Sequence, residues 1–433
     1  MISDLRMRWL KPALALLIAV SLSACNSFTP NTIFGAHSEF GHAVDVLTRR
    51  LLYVGILVFI LVEGLLVLIL AKFRDRDGNR EAKQIHGNTT LEVSWTLVPA
   101  VILAFIAVPT IKTIFETQAR AIPNALQVEV IGHQWWWEFR YPQYGVVTAN
   151  ELYLPVGRTA SFALTTKDVL HSFWIPQLNG KRDLISNHTN YIWFTPDSAF
   201  AWNGFCAEYC GTSHANMRFK VFTVTPAEFD AWIAHQKTNA AGSAPAVAPG
   251  APADSGKKPS APRVAPPVTQ IATSTGTTTP AGGHAQPPVA TPVMTVSDTA
   301  SATYPRAKLP EWVIPKTPTP VALTFDASAT GDAARGAALF KGAPCIACHT
   351  IRGVPTAQGI LAPNLTHVGS RTTIAGGLYP NDLTHLELWI KNAPAMKPGS
   401  LMPLFGKAEK GETPGVYTDQ QIADLAAYLS SLK

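Results

Sequence analysis

Two long apolar runs near the start of the chain set its first elements. From Leu51 to Ala71 only Glu63 interrupts the apolar residues, and from Val93 to Ile111 there is no charge at all. Each run is long enough to cross a bilayer as a helix, and spanning helices tolerate prolines such as Pro99 and Pro109 in the second. Between them lies KFRDRDGNREAKQIHGN, with Lys72, Arg74, Arg76, Arg80 and Lys83. The positive-inside rule places that loop in the cytoplasm. The pattern therefore predicts a membrane hairpin over residues 40–118, with everything after about residue 115 on the outer face.

Beyond the hairpin the period shortens. LQVEVIG, SFALTT, YIWFTP and RFKVFTVT are short runs rich in Val, Ile, Phe and Thr, bounded by Gly, Pro, Asn and Asp. They predict a β domain, a sandwich or barrel, over residues 125–235. TPAEFDAWIAHQ closes it as a short helix with Thr225 as its cap. From Asn239 to about Thr303 the chain is Ala, Pro, Thr, Ser and Gly, with no aromatic and no leucine. Nothing there can build a core, so residues 239–305 are read as a disordered linker. As a flexible coil its ends would lie roughly 40–50 Å apart. Residues 322–433 read as a compact all-α unit. TGDAARGAALF opens it as a helix, and TDQQIADLAAYLSSLK closes it. In the closing helix Thr418 and Gln421 form a capping box, and Ile422, Leu425, Ala426, Leu429 and Leu432 line one apolar face.

Composition agrees with membrane segments on otherwise soluble domains: 15% of the 433 residues are charged and 47% are apolar. A net charge of +6 without a dense basic stripe argues against nucleic-acid binding. The five cysteines, Cys25, Cys206, Cys210, Cys345 and Cys348, form a singleton and two close pairs, which is no disulfide framework. Arg6, Arg8 and Lys11, then ALALLIAV, then LSAC read as an export signal over residues 1–24. LSAC resembles the lipobox of bacterial lipoproteins, and that resemblance implies lipidation of Cys25.

CIACH, residues 345–349, has the spacing that covalent c-type haem attachment requires. Cys345 and Cys348 would form the thioethers and His349 would reach the iron. A redox Cys-x-x-Cys or half a zinc site are the other readings of these residues. Met/His ligation suits an electron carrier, and APAMKPGSLMP supplies two candidate methionines, Met396 and Met402. The resemblance to class I cytochromes c favours Met402. LAPNLTHVG is similar to that family's segment facing the proximal histidine, with Pro363 in it and His367 as an ordinary loop residue.

FCAEYCGTSHANM, residues 205–217, offers two thiols, an imidazole and a thioether, the soft set that selects copper. Cysteines four apart on a loop can point both sulfurs at one dinuclear centre, and each copper then needs a histidine. His214 is one, and His171 in VLHSFWIPQLNGK is the upstream candidate. Residues 40–235 resemble subunit II of haem–copper cytochrome c oxidases: the hairpin, LEVSWTLVPA, GHQWWWEF, HSFWIP and CAEYCGTSHANM fall in that family's order. The resemblance implies a cupredoxin-like Greek-key barrel and a dinuclear CuA site. Its ligands would be Cys206, Cys210, His171, His214, Met217 and the carbonyl of Glu208. It further implies that the Glu208 carboxylate faces a magnesium ion shared with subunit I. Trp135 becomes the exposed point of electron entry, and Glu92 the mouth of a proton channel. In a single strand Trp135 and Trp137 would face one way and Trp136 the other. Glu63, costly in lipid, would face a partner subunit. Where the family commonly continues GKRDL with Pro-Gly, this chain has ISNHTN, which puts the shape of that loop in doubt.

The fusion resembles oxidases of the caa type. It implies an electron-entry subunit in a bacterial plasma membrane, with both cofactor domains on the periplasmic face. Its partners would be subunits I and III, and its donor a cytochrome c or a quinol–cytochrome c reductase complex. Electrons would pass from one haem c to two coppers and on to subunit I, where oxygen is reduced and protons are translocated. A tether makes the two sites neighbours at an effective concentration on the order of millimolar. A thiol-type copper chaperone, a nitrous oxide reductase-like CuA protein and a quinol oxidase subunit each lack part of this set.

Overall fold

A computed structural model describes residues 31–74, 84, 86–118, 120–178, 180–241, 302–406 and 415–433. The export signal with Cys25, residues Arg76, Arg80 and Lys83 of the basic loop, and nearly all of the linker lie outside the described residues. Two helices form the hairpin, α1 (Glu39–Lys72) and α2 (Thr89–Glu116), each longer than its apolar run. The extension has a local cause. The Ser38 side chain accepts from the Gly41 amide and caps α1, with Glu39 in its first turn and Lys72 in its last. Asn88 caps α2 through the Leu91 amide. Both helices are apolar and exposed along their spans, as membrane insertion requires. The head is fixed to α1 at its start: Glu39 accepts from the Thr195 amide (2.7 Å), and His42 meets Asp197 at 2.9 Å.

The β domain is a cupredoxin-like sandwich of two five-stranded sheets. In chain order its strands are β1 (Leu126–His133), β2 (Trp136–Tyr141), β3 (Val146–Ala149), β4 (Glu151–Pro155) and β5 (Ala160–Thr166). They continue with β6 (His171–Trp174), β7 (Arg182–Leu184), β8 (Asn190–Phe194), β9 (Phe200–Cys206) and β10 (Arg218–Val224). The sheets run β3-β2-β1-β5-β8 and β4-β10-β9-β6-β7, with β1–β5 and β4–β10 parallel and the rest antiparallel. Alternate residues of both sheets meet in an aromatic core. Phe173 stacks on Phe219 (ring centroids 5.1 Å) and packs against Phe162 (5.6 Å), while Trp137 tilts onto Phe219 (5.3 Å). Helix α3 (Pro226–Lys237) starts with the capping box of Thr225 and Glu228 and lays Trp232 on Tyr153 (4.5 Å).

GHQWWWEF does not form one strand. Gln134 and Trp135 make the turn between β1 and β2, so the three tryptophans do not alternate as a continuous strand would have them. Trp137 is buried, Trp136 stacks on His133 at 4.0 Å, and Trp135 in the turn is half-buried rather than exposed, because its ring packs against the core. The cause is the tight antiparallel register that pairs His133 with Trp136.

The C-terminal domain is helical: α4 (Ala333–Gly342), the one-turn α5 (Cys345–Cys348), α6 (Leu383–Lys391), α7 (Ala393–Met396) and α8 (Asp419–Ser431). Its first and last long helices cross where Arg335 clamps Asp424 through Nη2 (2.7 Å) and Nε (2.9 Å), and where Phe340 meets Tyr428. Thr418 and Gln421 form the capping box of α8, whose apolar face is buried.

Candidate metal centre and haem-attachment site

Strand pairing builds the first site. β6 lies beside β9 with Phe173 opposite Cys206, which brings His171, at the start of β6, next to the end of β9. The chain then leaves the sheet, turns through a 3-10 segment (His214–Asn216), and returns at Met217 into β10. Main-chain bonds close the loop: Cys206 N to Met217 O, Ala207 N to Ser172 O, and His214 N to Gly211 O, all 2.9–3.0 Å.

The donor atoms converge. Cys206 Sγ lies 3.7 Å from Cys210 Sγ, 3.8 Å from His171 Nδ1 and 3.2 Å from the Glu208 carbonyl. Cys210 Sγ lies 3.6 Å from His214 Nδ1 and 3.9 Å from Met217 Sδ. Bonds from first-row metals to thiolate and imidazole run about 2.0–2.3 Å, so donors at these separations can share ions set between them. Cys206, Cys210, His171 and Met217 are buried, and the two thiols are free. A dry set of thiolate, imidazole and thioether fits copper. The Glu208 carboxylate, by contrast, is exposed, and only its carbonyl joins the cluster.

The charges favour ligation. A hydrogen bond from Cys210 and then the His171 imidazole outweigh burial and stabilise the Cys206 thiolate. That thiolate and burial push Cys210 up, so the two thiols share their protons as a pair. Asp168 was not foreseen. Its Oδ1 takes His171 Nε2 at 2.8 Å, which leaves Nδ1 aimed at the sulfur. Burial pulls the His171 pKa down, but Asp168 and Cys206 outweigh it and hold it above the ordinary value. Asp168 is itself held below the carboxylate range: burial raises it, and His171 with the amides of Gln134 and Val169 outweigh that. A carboxylate behind a histidine is the usual support for a metal ligand. An acid three residues before His171, in KDVLH, was the available signal. ISNHTN reaches the same place, for Ser186 Oγ donates to the Asp168 carbonyl at 3.0 Å.

Trp135 is half-buried, and its Nε1 donates to the Cys210 carbonyl at 2.9 Å, with Gln134 Nε2 on the same oxygen at 2.8 Å. Glu92 is exposed in the first turn of α2, and Glu63 is exposed midway along α1.

In the C-terminal domain Cys345 and Cys348 are free thiols on α5, and His349 caps it. The Pro363 carbonyl accepts from His349 Nδ1 at 2.7 Å and so leaves Nε2 as the free ligand nitrogen. The loop hydrogen-bonded to Cys348 and His349 carries Ile360 and Leu361, 81% and 73% exposed. Leu401, beside Met402, is 83% exposed. Ile360 and Leu361, left open on a loop bonded to the attachment turn, fit a haem that would cover them. Met396 is in the core at 3% exposure, whereas Met402 is half-buried. His367 is buried, and its ring tilts against that of His235 at 4.4 Å.

Fold and donor sets define a membrane-anchored cupredoxin-like protein with an appended c-type cytochrome domain. Residues 33–113 match the family profile "Cytochrome C oxidase subunit II, transmembrane domain", 145–224 match "Cytochrome C oxidase subunit II, periplasmic domain", and 333–433 match "Cytochrome c". Cytochrome c oxidase subunit 2 of Alkalihalophilus pseudofirmus is 31% identical over 383 residues, 87% of this chain and 83% of the relative. Its counterpart in Bacillus sp. PS3 is 30% identical over 378 residues, covering 83% and 80%. The solved periplasmic domain of subunit II from Bradyrhizobium japonicum is 28% identical over 27% of this chain and 96% of its own, with a TM-score of 0.26. The chain belongs to the cytochrome c oxidase subunit II family, and so to the oxidoreductase subunits of haem–copper terminal oxidases.

Proposed function

We propose that the chain is the electron-entry subunit of its oxidase and carries one covalent haem c and one dinuclear copper centre. Cys345 and Cys348 would hold the haem, with His349 and Met402 as axial ligands. The copper pair would be held by Cys206, Cys210, His171, His214, Met217 and the Glu208 carbonyl. Bound there, these groups supply reversible one-electron chemistry. Electrons enter at the C-terminal domain and leave the cupredoxin domain for subunit I. The observation that carries this reading is the convergence of six soft or carbonyl donors within 3.2–3.9 Å of a neighbour.

The protein does the rest of the work. Burial excludes water from the sulfurs, and Asp168 fixes the His171 ring. The Pro363 carbonyl fixes His349. Trp135 bonds to the Cys210 main chain, which supports it as the contact through which the cluster is reached. The exposed Glu208 carboxylate is a candidate magnesium ligand at the junction with subunit I, and Glu92 a candidate proton-channel acid. Orientation with both domains periplasmic follows from the charge of the loop after α1.

Metal analysis together with a haem stain on the denatured polypeptide tests the assignment. Two coppers per chain and haem that survives denaturation are expected. One copper, or haem lost on denaturation, would sink it.

A further inference from the structure

Residues 302–316 precede the haem-attachment domain, and the described chain resumes there packed rather than extended away. On one side they fill the cupredoxin surface. Tyr304 is buried and stacks on Phe222 (ring centroids 4.8 Å), and its amide donates to the Tyr153 hydroxyl at 3.1 Å. Trp312 stacks on Phe200 at 6.0 Å. Val313 is buried, and its carbonyl takes the ammonium of the buried Lys220 at 2.5 Å. Asn203 Nδ2 donates to the Trp312 carbonyl at 3.2 Å. On the other side Arg306 reaches the C-terminal domain. Its Nη1 donates to the Asn381 carbonyl (2.6 Å), and its Nη2 donates to those of Arg371 (2.6 Å) and Gly369 (3.4 Å).

Direct contacts also join the domains: Arg352 Nη1 donates to the Gln236 carbonyl at 2.8 Å, and two buried charged side chains cross the boundary. The buried Glu151 of β4 accepts from the amide and hydroxyl of Thr372, both at 2.6 Å, and from the Thr373 amide at 3.3 Å. The buried Lys397 spends its ammonium on the Trp135 carbonyl (2.5 Å) and the Ala375 carbonyl (3.1 Å). The loop that follows lies on the Trp135 ring. A Cβ at Gly399, which has φ +84°, would sit 2.7 Å from that ring, and one at Gly211 (φ +109°) would sit 3.1 Å from it on the cluster side. Only glycine lets both backbones approach so closely. A buried carboxylate and a buried ammonium are costly unless their partners are fixed, and here both have their partners across the boundary. A domain that docked only in passing would leave them unpaired for most of the time.

We propose that residues 302–316 are a staple that holds the C-terminal domain on the cupredoxin domain as its resident position, with the loop 396–402 seated on Trp135. The Pro- and Ala-rich segment before it then sets neither the distance between the two sites nor the frequency with which they meet. The proposal rests on the functional reading above only for what the docked domain carries, not for the docking.

The test uses the detergent-solubilised oxidase with a protease recognition sequence inserted between residues 262 and 280. After complete cleavage, the C-terminal fragment should remain with the membrane-bound remainder on affinity capture at about 1 μM, which requires a Kd well below that value. Arg306→Ala removes three hydrogen bonds from a cation and should release about tenfold more fragment or greater. On the uncut chain the same variant should speed deuterium exchange at the Thr372 and Thr373 amides. Loss of the fragment from the cut wild-type chain would overturn the proposal. So would equal retention in wild type and Arg306→Ala with unchanged exchange. Fragment retention is read on a gel whether or not copper and haem are bound, so a failure of the cofactor assignment shows separately.

Discussion

In the cupredoxin domain the donor atoms of Cys206, Cys210, His171, His214 and Met217 already stand 3.6–3.9 Å from their neighbours. In the C-terminal domain Cys345, Cys348 and His349 share one turn, Met402 waits on a separate loop, and Ile360, Leu361 and Leu401 face outward. The first site is enclosed by the sandwich, since Cys206, Cys210 and Met217 are buried in one core with Trp137, Phe162, Phe173 and Phe219. The second is a domain whose apolar surface still wants a large partner. The β domain encloses its site within its own core, while the C-terminal domain has a core of its own around Phe340, Ile351, Leu425 and Leu429 but leaves apolar side chains open beside its attachment turn.

The largest test of that contrast removes the haem attachment. Cys345→Ala with Cys348→Ala should cost the C-terminal domain its fold, more than about 5 kcal/mol and so the whole margin of a small domain. Limited proteolysis should then digest residues 322–433 while the β domain survives. Copper chelation should lower the melting temperature of the β domain yet leave it folded by near-ultraviolet circular dichroism. A protease-resistant C-terminal domain in the double variant would reverse the contrast.

Next in size is Cys206→Ser, which should abolish the dinuclear centre and lower oxygen uptake by about a hundredfold or more, beyond the 10–100-fold typical of outer-shell losses. The haem content should not change, and a fall in both would mean that the two sites fold as one. The two methionines separate packing from ligation. Met396→Ala, a core truncation, should cost about 2–4 kcal/mol with the haem spectrum intact. Met402→Ala should cost less stability and lose the signature of thioether ligation. The opposite pairing of effects would exchange their roles.

Periodicity and turn chemistry made most of the fold legible. RFKVFTVT, LQVEVIG and the capping boxes at Thr225 and Thr418 name their own elements, because strand alternation and cap pairing are local. CIACH is local too, and so it reads directly. Other features depend on which strands become neighbours. His171 joins the copper loop only because β6 pairs with β9, so the need of each copper for a histidine made it a candidate and the family's order made it a ligand. Asp168 lies only three residues before His171, so KDVLH marks it locally, but Glu151 and Lys397 meet partners more than 200 residues away, Thr372 and the Trp135 carbonyl, and nothing in their own neighbourhood marks them. Composition ran the linker on to residue 305, yet Tyr304 is buried against Phe222. One aromatic after a long polar tract is too weak a signal to show that the chain has returned to a surface.

Asp168→Asn comes next. It keeps the shape but loses the charge behind His171, and should weaken copper binding about 10-fold, within the usual range for such supports. The effect should be confined to the cupredoxin domain and be read as faster copper loss to a chelator.

The smallest effect bears on the segment where the chain departs from its family. Ser186 touches no ligand, yet its hydroxyl donates to the Asp168 carbonyl, two bonds of influence from the metal cluster. That bond is made in a partly exposed loop, so its net value is about 0.5–1 kcal/mol. Ser186→Ala should therefore loosen Asp168 without removing its charge, and copper loss should quicken about two- to fivefold, less than in Asp168→Asn. The double variant should be no worse than Asp168→Asn alone if Ser186 works only through that carboxylate. Additive losses in the double variant would mean that ISNHTN supports the centre by another route, through the pairing of β6 with β7. No change in Ser186→Ala would leave the sandwich able to fix His171 without this loop, and would strengthen the contrast between a site the sheet completes and one its cofactor must complete.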